Sequence, residues 1–410
     1  MTPETVALPA IDYPYLEETM LQLLAIPSPV GLTDAAVRYT AGRLEALGIP
    51  YVMTRRGAIR ATLRGREAQP ARAVVAHLDT LGAIVRAIQP NGRLGIAPIG
   101  HWSARFAEGS RLTVFTDAGQ LRGTCLPLKT SGHAFGPEVD AQPVGWDHVE
   151  VRVDVPATSA AELVAAGVNV GDWIAFDPQT EVQPDGYINS RYLDDKAAVA
   201  ALLTACKAVR DHKLPLPVEV HPLFTITEEV GSGASAALHG EIAEMVSLDI
   251  SIAAPGQNTS EHAATVCVQD MSGPFDYHLT HKLIALAREH GIAHRRDVFR
   301  FYRSDSAAAV EAGNDIRTAL IGFGGDASHA QERTHRDALM ALTQLVIAYL
   351  MSAPVARRDR KSMASLDGFT EQLSPQDMSV PSTPLPDPGE FLDTEGGGEG
   401  GLRPGLQERL

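Results

Sequence analysis

Apolar and polar positions along the chain change rhythm several times, and each change marks an expected element. The segment Tyr15–Ala25 predicts a first helix, closed by Pro27 and Pro29. Thr33-Asp34 is read as the cap of a second helix that runs to Leu47 and stops at Gly48. Short strands are predicted at Tyr51–Thr54 and Ile59–Leu63. The run Ala71–Ala76 is apolar enough for a buried strand, and it leads directly into His77.

From about Pro90 to Asp185 the texture is different. Glycine, proline and short β-prone runs dominate, at Leu112–Thr116, Gly119–Cys125, His148–Val155 and Asp172–Phe176, with one short helix at Ser159–Ala166. Helical and strand-like segments then alternate. Helices are expected at Asp195–His212, Pro274–His290, Asp305–Ala312 and His335–Met351, and strands at Val218–Ile226, Met245–Ile250 and Arg317–Gly322. Such alternation implies an α/β fold, a mostly parallel sheet flanked by helices. The stretch 90–185 is then a small β domain inserted into it, which divides the α/β domain into 1–89 and 186–355. Residues 356–410 are rich in Pro, Gly, Ser and charge, and read as a disordered tail.

Composition narrows the function. The chain has 410 residues and a net charge of -15, which argues against nucleic acid or an anionic membrane surface as partner. Cys125, Cys206 and Cys267 are widely spaced, with no CxxC pair, so no disulfide framework or cysteine zinc site is expected. The start, Met1–Pro14, carries acids and prolines and lacks the basic, then apolar, pattern of a signal peptide. A cytoplasmic protein is expected.

Five segments carry candidate chemistry. Apolar Leu223–Ile226 ends in Thr227-Glu228-Glu229-Val230-Gly231, two adjacent acids where a strand gives way to a glycine-bearing loop. His77-Leu78-Asp79 follows a strand, so the His can bind metal while the Asp orients its ring. Asp194-Asp195 opens a helix, with Asp194 a candidate bridge between metals and Asp195 a cap. Asp249 finishes a hydrophobic strand, where α/β sheets place ligands. Gly325–Glu332 supplies a late histidine, His329, with His335 a nearby competitor that opens the last helix. Each segment alone has an ordinary reading as a cap, a turn or a surface loop. Together they put His, Asp, Glu-Glu, Asp and His at the ends of successive strands. A pair of metal ions roughly 3.5–4 Å apart needs one shared carboxylate and a few terminal ligands, which this set supplies. Imidazole with carboxylate suits zinc, cobalt or manganese better than calcium or magnesium.

The order of these residues resembles the tetrahedral aminopeptidase family, dinuclear metallopeptidases related to glutamyl and deblocking aminopeptidases. The likeness covers about Tyr15–Ser352, and rests most on His77-x-Asp79, Leu193-Asp194-Asp195-Lys196, Thr227–Gly231 and His329-x-x-Glu332. The resemblance implies two divalent ions per chain, zinc or cobalt. One would be held by His77, Asp194 and Asp249, the other by Asp194, Glu229 and His329. It further implies that Glu228 is the general base, that Asp79 orients His77, and that the Asp194–Asp195 peptide is cis. The implied reaction is hydrolysis of N-terminal residues from short peptides by a water held between the ions. A homo-oligomer is implied, a dodecamer assembled through the inserted domain.

Some features depart from that family. The lead-in to the last His is Gly324-Gly325-Asp326-Ala327-Ser328 in place of an aromatic one, and Arg300, Arg303, Arg333 and Arg336 lie nearby in sequence. Those arginines read as solvated surface groups ahead of selectors for acidic or amidated peptides. Overall the chain looks like a divergent bacterial branch linked to a dipeptide-like osmoprotectant. A related carboxypeptidase or N-acyl amino acid deacylase would share the ligand order, but there the extra domain enters after the last acid. A metal-binding homologue without catalysis is the other alternative.

Overall fold

The chain folds into a twelve-stranded mixed sheet covered by helices and a closed barrel of antiparallel strands. This computed structural model describes residues 7–238, 241–361 and 363–371. The centre of the sheet is parallel: Val218–Thr225, Glu67–His77, Ile242–Ile252 and Arg317–Asp326 lie side by side in that order. Their β-branched and apolar side chains are buried on both faces, as a sheet covered on both sides requires. Antiparallel strands flank this centre, with Ile59–Ala61 and Tyr51–Met53 beyond one side. On the other side come Glu332–His335, Tyr187–Ser190 and Glu181–Val182.

The helix Leu193–Asp211 runs against strands 67–77 and 242–252 and is flanked by the helices Tyr13–Ala25 and Arg336–Met351. Ala197, Ala198, Ala200, Ala201 and Ala205 are fully buried along it. These small side chains let it sit deep in the core, where a helix that is apolar all round belongs.

The barrel strands follow the order Gly82–Ile88, Leu94–Ile99, Val149–Val153, Gly119–Pro127, Arg111–Thr116 and Trp173–Phe176, closing on the first. Val85, Ile96, Leu112, Val114, Val151 and Ile174 fill its interior, as side chains do in a small barrel. Its first strand begins at Gly82, ahead of the position 90 read from composition. Only the four residues Leu78–Leu81 separate strand 67–77 from the barrel, too short a link to mark a boundary by composition. At the other end, Arg357–Arg360 forms a short 3-10 turn and Asp359 accepts a 2.7 Å bond from Arg317 Nε, although the sequence reading gave both to the tail. The rest of that tail beyond 371 lies outside the described residues.

Two capping expectations fail. Thr33 precedes the helix Asp34–Ala46 but makes no side-chain cap bond. Asp195 does not cap its helix; one oxygen accepts the His77 backbone N–H at 3.1 Å.

Candidate active site

Parallel strands bring their carboxyl ends to one edge, and the sheet register gathers the chemistry there. Thr225 pairs with His77, so the Glu228-Glu229 doublet begins just past the histidine. Ser247 pairs with Val75, and two residues further along Asp249 comes level with His77. Asp249 pairs in turn with Gly322, on the strand that leads to His329.

Asp194 enters from the start of the long helix, after Tyr192 turns the chain in the left-handed region (φ +70°) and through a cis peptide to Asp195. Its two oxygens face different histidines. Oδ1 lies 3.1 Å from His77 Nε2, and Oδ2 lies 3.4 Å from His329 Nε2. Glu229 Oε2 is 3.5 Å from the same His329 nitrogen, and Glu228 Oε2 is 3.8 Å from His77 Nε2. Donor atoms of His77, Asp194 and Glu229 fall within 4.8 Å of one another, as do those of Asp194, Asp195 and Asp249. All seven residues singled out in the sequence therefore meet at one edge. Asp195, expected only to cap, joins them. His335 does not; it stands at the start of the last helix.

The supporting bonds differ from the expected ones at Asp79. Its backbone carbonyl, 2.9 Å from His77 Nδ1, fixes the imidazole, while its carboxylate is 3.7 Å from that nitrogen. The carboxylate instead accepts the backbone N–H groups of Glu228 (3.2 Å) and Glu229 (3.1 Å). Asp79 thus positions the acidic doublet. Two further acids were not assigned roles from sequence. Glu332 accepts the N–H of Asp194 with one oxygen and the N–H of His329 with the other, both at 3.0 Å. Its place three residues after His329 is the signal that marked it. Asp305 joins Thr225 Oγ1 to the Ala234 N–H, each at 2.6 Å, and so clasps both ends of the doublet's loop. A Cβ at Gly233 would fall 2.0 Å from Asp305 Oδ1, so only glycine admits this clasp.

The electrostatics are lopsided. Asp79, Asp194, Asp195, Glu228, Glu229, Asp249, Asp305 and Glu332 surround two imidazoles, and their ion pairs among the described residues run only to those imidazoles. Lys196 is turned elsewhere, donating to the Ile26 carbonyl that ends the first helix. Burial pushes Glu229 up to about 7 and Glu332 up to about 8, and drives Glu228, Asp249 and Asp195 well above the carboxylate range. Burial opposes the charge on Asp194 too, but its bonds to His329 and His77 outweigh that and hold it low. Burial disfavours the His329 imidazolium, yet Glu229 and Asp194 raise that group to about 11. A buried cluster in which burial raises most of the acids, and in which the carboxylates raise an imidazole, is short of positive charge. Divalent cations are what such a mixed imidazole and carboxylate donor set fits.

Two of the four nearby arginines are engaged in ion pairs at the surface. Arg303 pairs with Glu311 at 2.7 Å, and Arg333 pairs with Glu261 through two bonds of 2.8 Å.

Known proteins share the sequence and the fold of this chain. "Putative aminopeptidase YhfE" of Bacillus subtilis is 37% identical over 339 residues, which cover 82% of this chain and 98% of that protein. A TET aminopeptidase from a marine-sediment Thaumarchaeota archaeon shares the fold at a TM-score of 0.74 and 21% identity, over 82% of this chain and 96% of that one. The TET1 peptidase of Pyrococcus horikoshii, which can assemble into a tetrahedron or a large octahedral shell, matches at 0.71 and 23% identity, over 82% of this chain and 100% of that one. The profile of the M42 glutamyl aminopeptidase family matches residues 57–345. With both its fold and its sequence matched, the chain belongs to the M42 glutamyl aminopeptidase family and is an aminopeptidase of that metallopeptidase group.

Proposed function

We propose that this aminopeptidase binds two divalent ions, zinc or cobalt, and releases N-terminal residues from short peptides. His77, Asp194 and Asp249 would hold one ion, and Asp194, Glu229 and His329 the other. The observation that carries this reading is the posture of Asp194, whose two oxygens address His77 at 3.1 Å and His329 at 3.4 Å. A carboxylate split in this way is a bridge in waiting.

When bound, the ions would acidify a water toward a pKa of about 7 and polarise the peptide carbonyl. Glu228 would take the proton of the attacking water and return it to the leaving amine. Burial disfavours its charged form and raises its pKa, which helps it to hold a proton between the two transfers. Asp79 would keep Glu228 aimed by holding its backbone N–H. Glu332 would hold Asp194 and His329 at fixed separation through their backbones. A free peptide N-terminus is proposed to lie beside the centre, which makes the cleavage exopeptidic.

We assign the inserted barrel to assembly of a homo-oligomer, a dodecamer by likeness to the tetrahedral relatives. We place the enzyme in the cytoplasm, a reading supported by three buried free cysteines. No helix among the described residues is long and apolar enough to cross a membrane.

Digestion of a peptide library with and without chelator, read by mass spectrometry, tests the proposal. Metal-dependent loss of single N-terminal residues is expected. Removal of C-terminal residues or acyl groups instead would overturn it.

A further inference from the structure

A second group of metal-ligating side chains lies away from the catalytic edge. His335 ends strand Glu332–His335, Asp337 lies in the first turn of the helix that follows, and His262 lies just before strand Ala264–Asp270. We propose that His262, His335 and Asp337 form a site for one further divalent ion of the zinc class.

Three observations converge. First, the spacing fits. Asp337 Oδ2 lies 3.1 Å from His335 Nδ1 and 3.5 Å from His262 Nδ1. Tetrahedral zinc with bonds of about 2.0–2.1 Å sets its ligand atoms about 3.3 Å apart, and ligand atoms of all three side chains lie within 4.8 Å of one another. Second, both rings are oriented from behind. His335 Nε2 lies 2.9 Å from the Asp185 carbonyl, which can only accept, so Nδ1 carries the lone pair toward Asp337. His262 Nε2 lies 3.2 Å from the Tyr187 hydroxyl, and its Nδ1 is 3.5 Å from Asp337. A ring nitrogen tied to an oxygen behind it is the usual support of a metal-binding histidine. Third, the backbone is shaped for that support. Gly186 adopts φ +102°, and a Cβ there would fall 2.7 Å from His335 Nε2. Any larger residue would push the ring out of the cluster.

His335 Nδ1 also accepts the Asp337 N–H at 3.1 Å. The ion takes over that lone pair, and the helix start exchanges a ring cap for a metal clip. His262 and Asp337 are about half exposed, so the fourth position opens to water, as in a site with three protein ligands. The clip joins the loop ahead of strand 264–270 to the helix Arg336–Met351. It lies at the far end of two paired strands whose near end, Ser190 opposite Glu332, carries the catalytic helix and His329.

Zinc content after equilibrium dialysis, for the intact chain and for His262→Ala and Asp337→Asn, tests the proposal. Each variant should hold one zinc fewer per chain than the parent, and zinc should raise its Tm less. Peptidase activity should stay at the parent level, since none of the three residues lies in the catalytic cluster. The readout is a difference between chains, so it does not depend on how full the catalytic centre is. His262 is outside the core and Asp337→Asn keeps the helical N–H, so circular dichroism of both should match the parent. Equal zinc content in all three would overturn the proposal.

Discussion

Two buried clusters of charge occupy the same pair of strands and have opposite characters. Arg72 and Glu244 sit opposite each other on strands 67–77 and 242–252. Their side chains are buried, 3.6 Å apart, with the Arg72 guanidinium 4.4 Å over the Tyr349 ring and the Tyr349 hydroxyl donating to Glu244 at 3.0 Å. That cluster balances its own charge. Five residues further along each strand, His77 and Asp249 reach the carboxyl edge, where eight acids crowd two imidazoles. The first cluster is balanced within the chain; the second is short of cations among the described residues, and the proposed ions would supply them. Buried charge on a strand thus reads as structure when its partner is built in and as a site when it is not.

The largest effect that would sharpen this contrast is at the catalytic edge. Glu228→Gln should lower kcat by about 10²–10⁴-fold with metal content unchanged, because it removes a proton carrier and no proposed ligand. Paired kinetics and metal analysis check it. Next is Arg72→Met, which leaves Glu244 buried without its cation. It should cost about 3–5 kcal/mol in urea unfolding while the metal content holds. Equal metal loss in that variant would break the separation of the two clusters. A smaller effect is expected for Glu332→Gln, whose amide has one acceptor oxygen for two N–H groups. Metal affinity should fall about 10–100-fold by calorimetric titration.

The smallest effect is a drift with pH. Burial raises the folded Glu229 pKa to about 7, above its unfolded value of about 4.3. Chelated protein therefore binds more protons folded than unfolded between those values, and its stability declines as pH rises through that window. Metal binding favours the deprotonated ligands, so the loaded protein gains over the same range. The gap in Tm between loaded and chelated protein should widen from pH 4.5 to 7. A gap that narrows would contradict the charge assignment.

Much of this was legible in the chain. The parallel strands announce themselves as apolar runs, and each ends in a candidate ligand, so His77, Glu228-Glu229 and Asp249 could be placed before any geometry. The short strands Glu332–His335 and His294–Val298 were not legible, because charged residues fill them and only pairing with neighbours makes them strands. Asp79 was expected to orient His77 with its side chain, whereas its backbone carbonyl lies against that ring. Its carboxylate serves the doublet across a separation that sequence order does not reveal. Asp305 looks like an ordinary acid at a helix start, and its clasp on Thr225 and Ala234 exists only in three dimensions.

The doublet, the bridge and the two histidines stand or fall together on where the ions sit. Anomalous diffraction from zinc-loaded crystals answers that directly. Two peaks about 3.5–4 Å apart are predicted on either side of the Asp194 carboxylate, one against His77 and Asp249, the other against Glu229 and His329. A single peak, or a pair that does not share Asp194, would contradict the account.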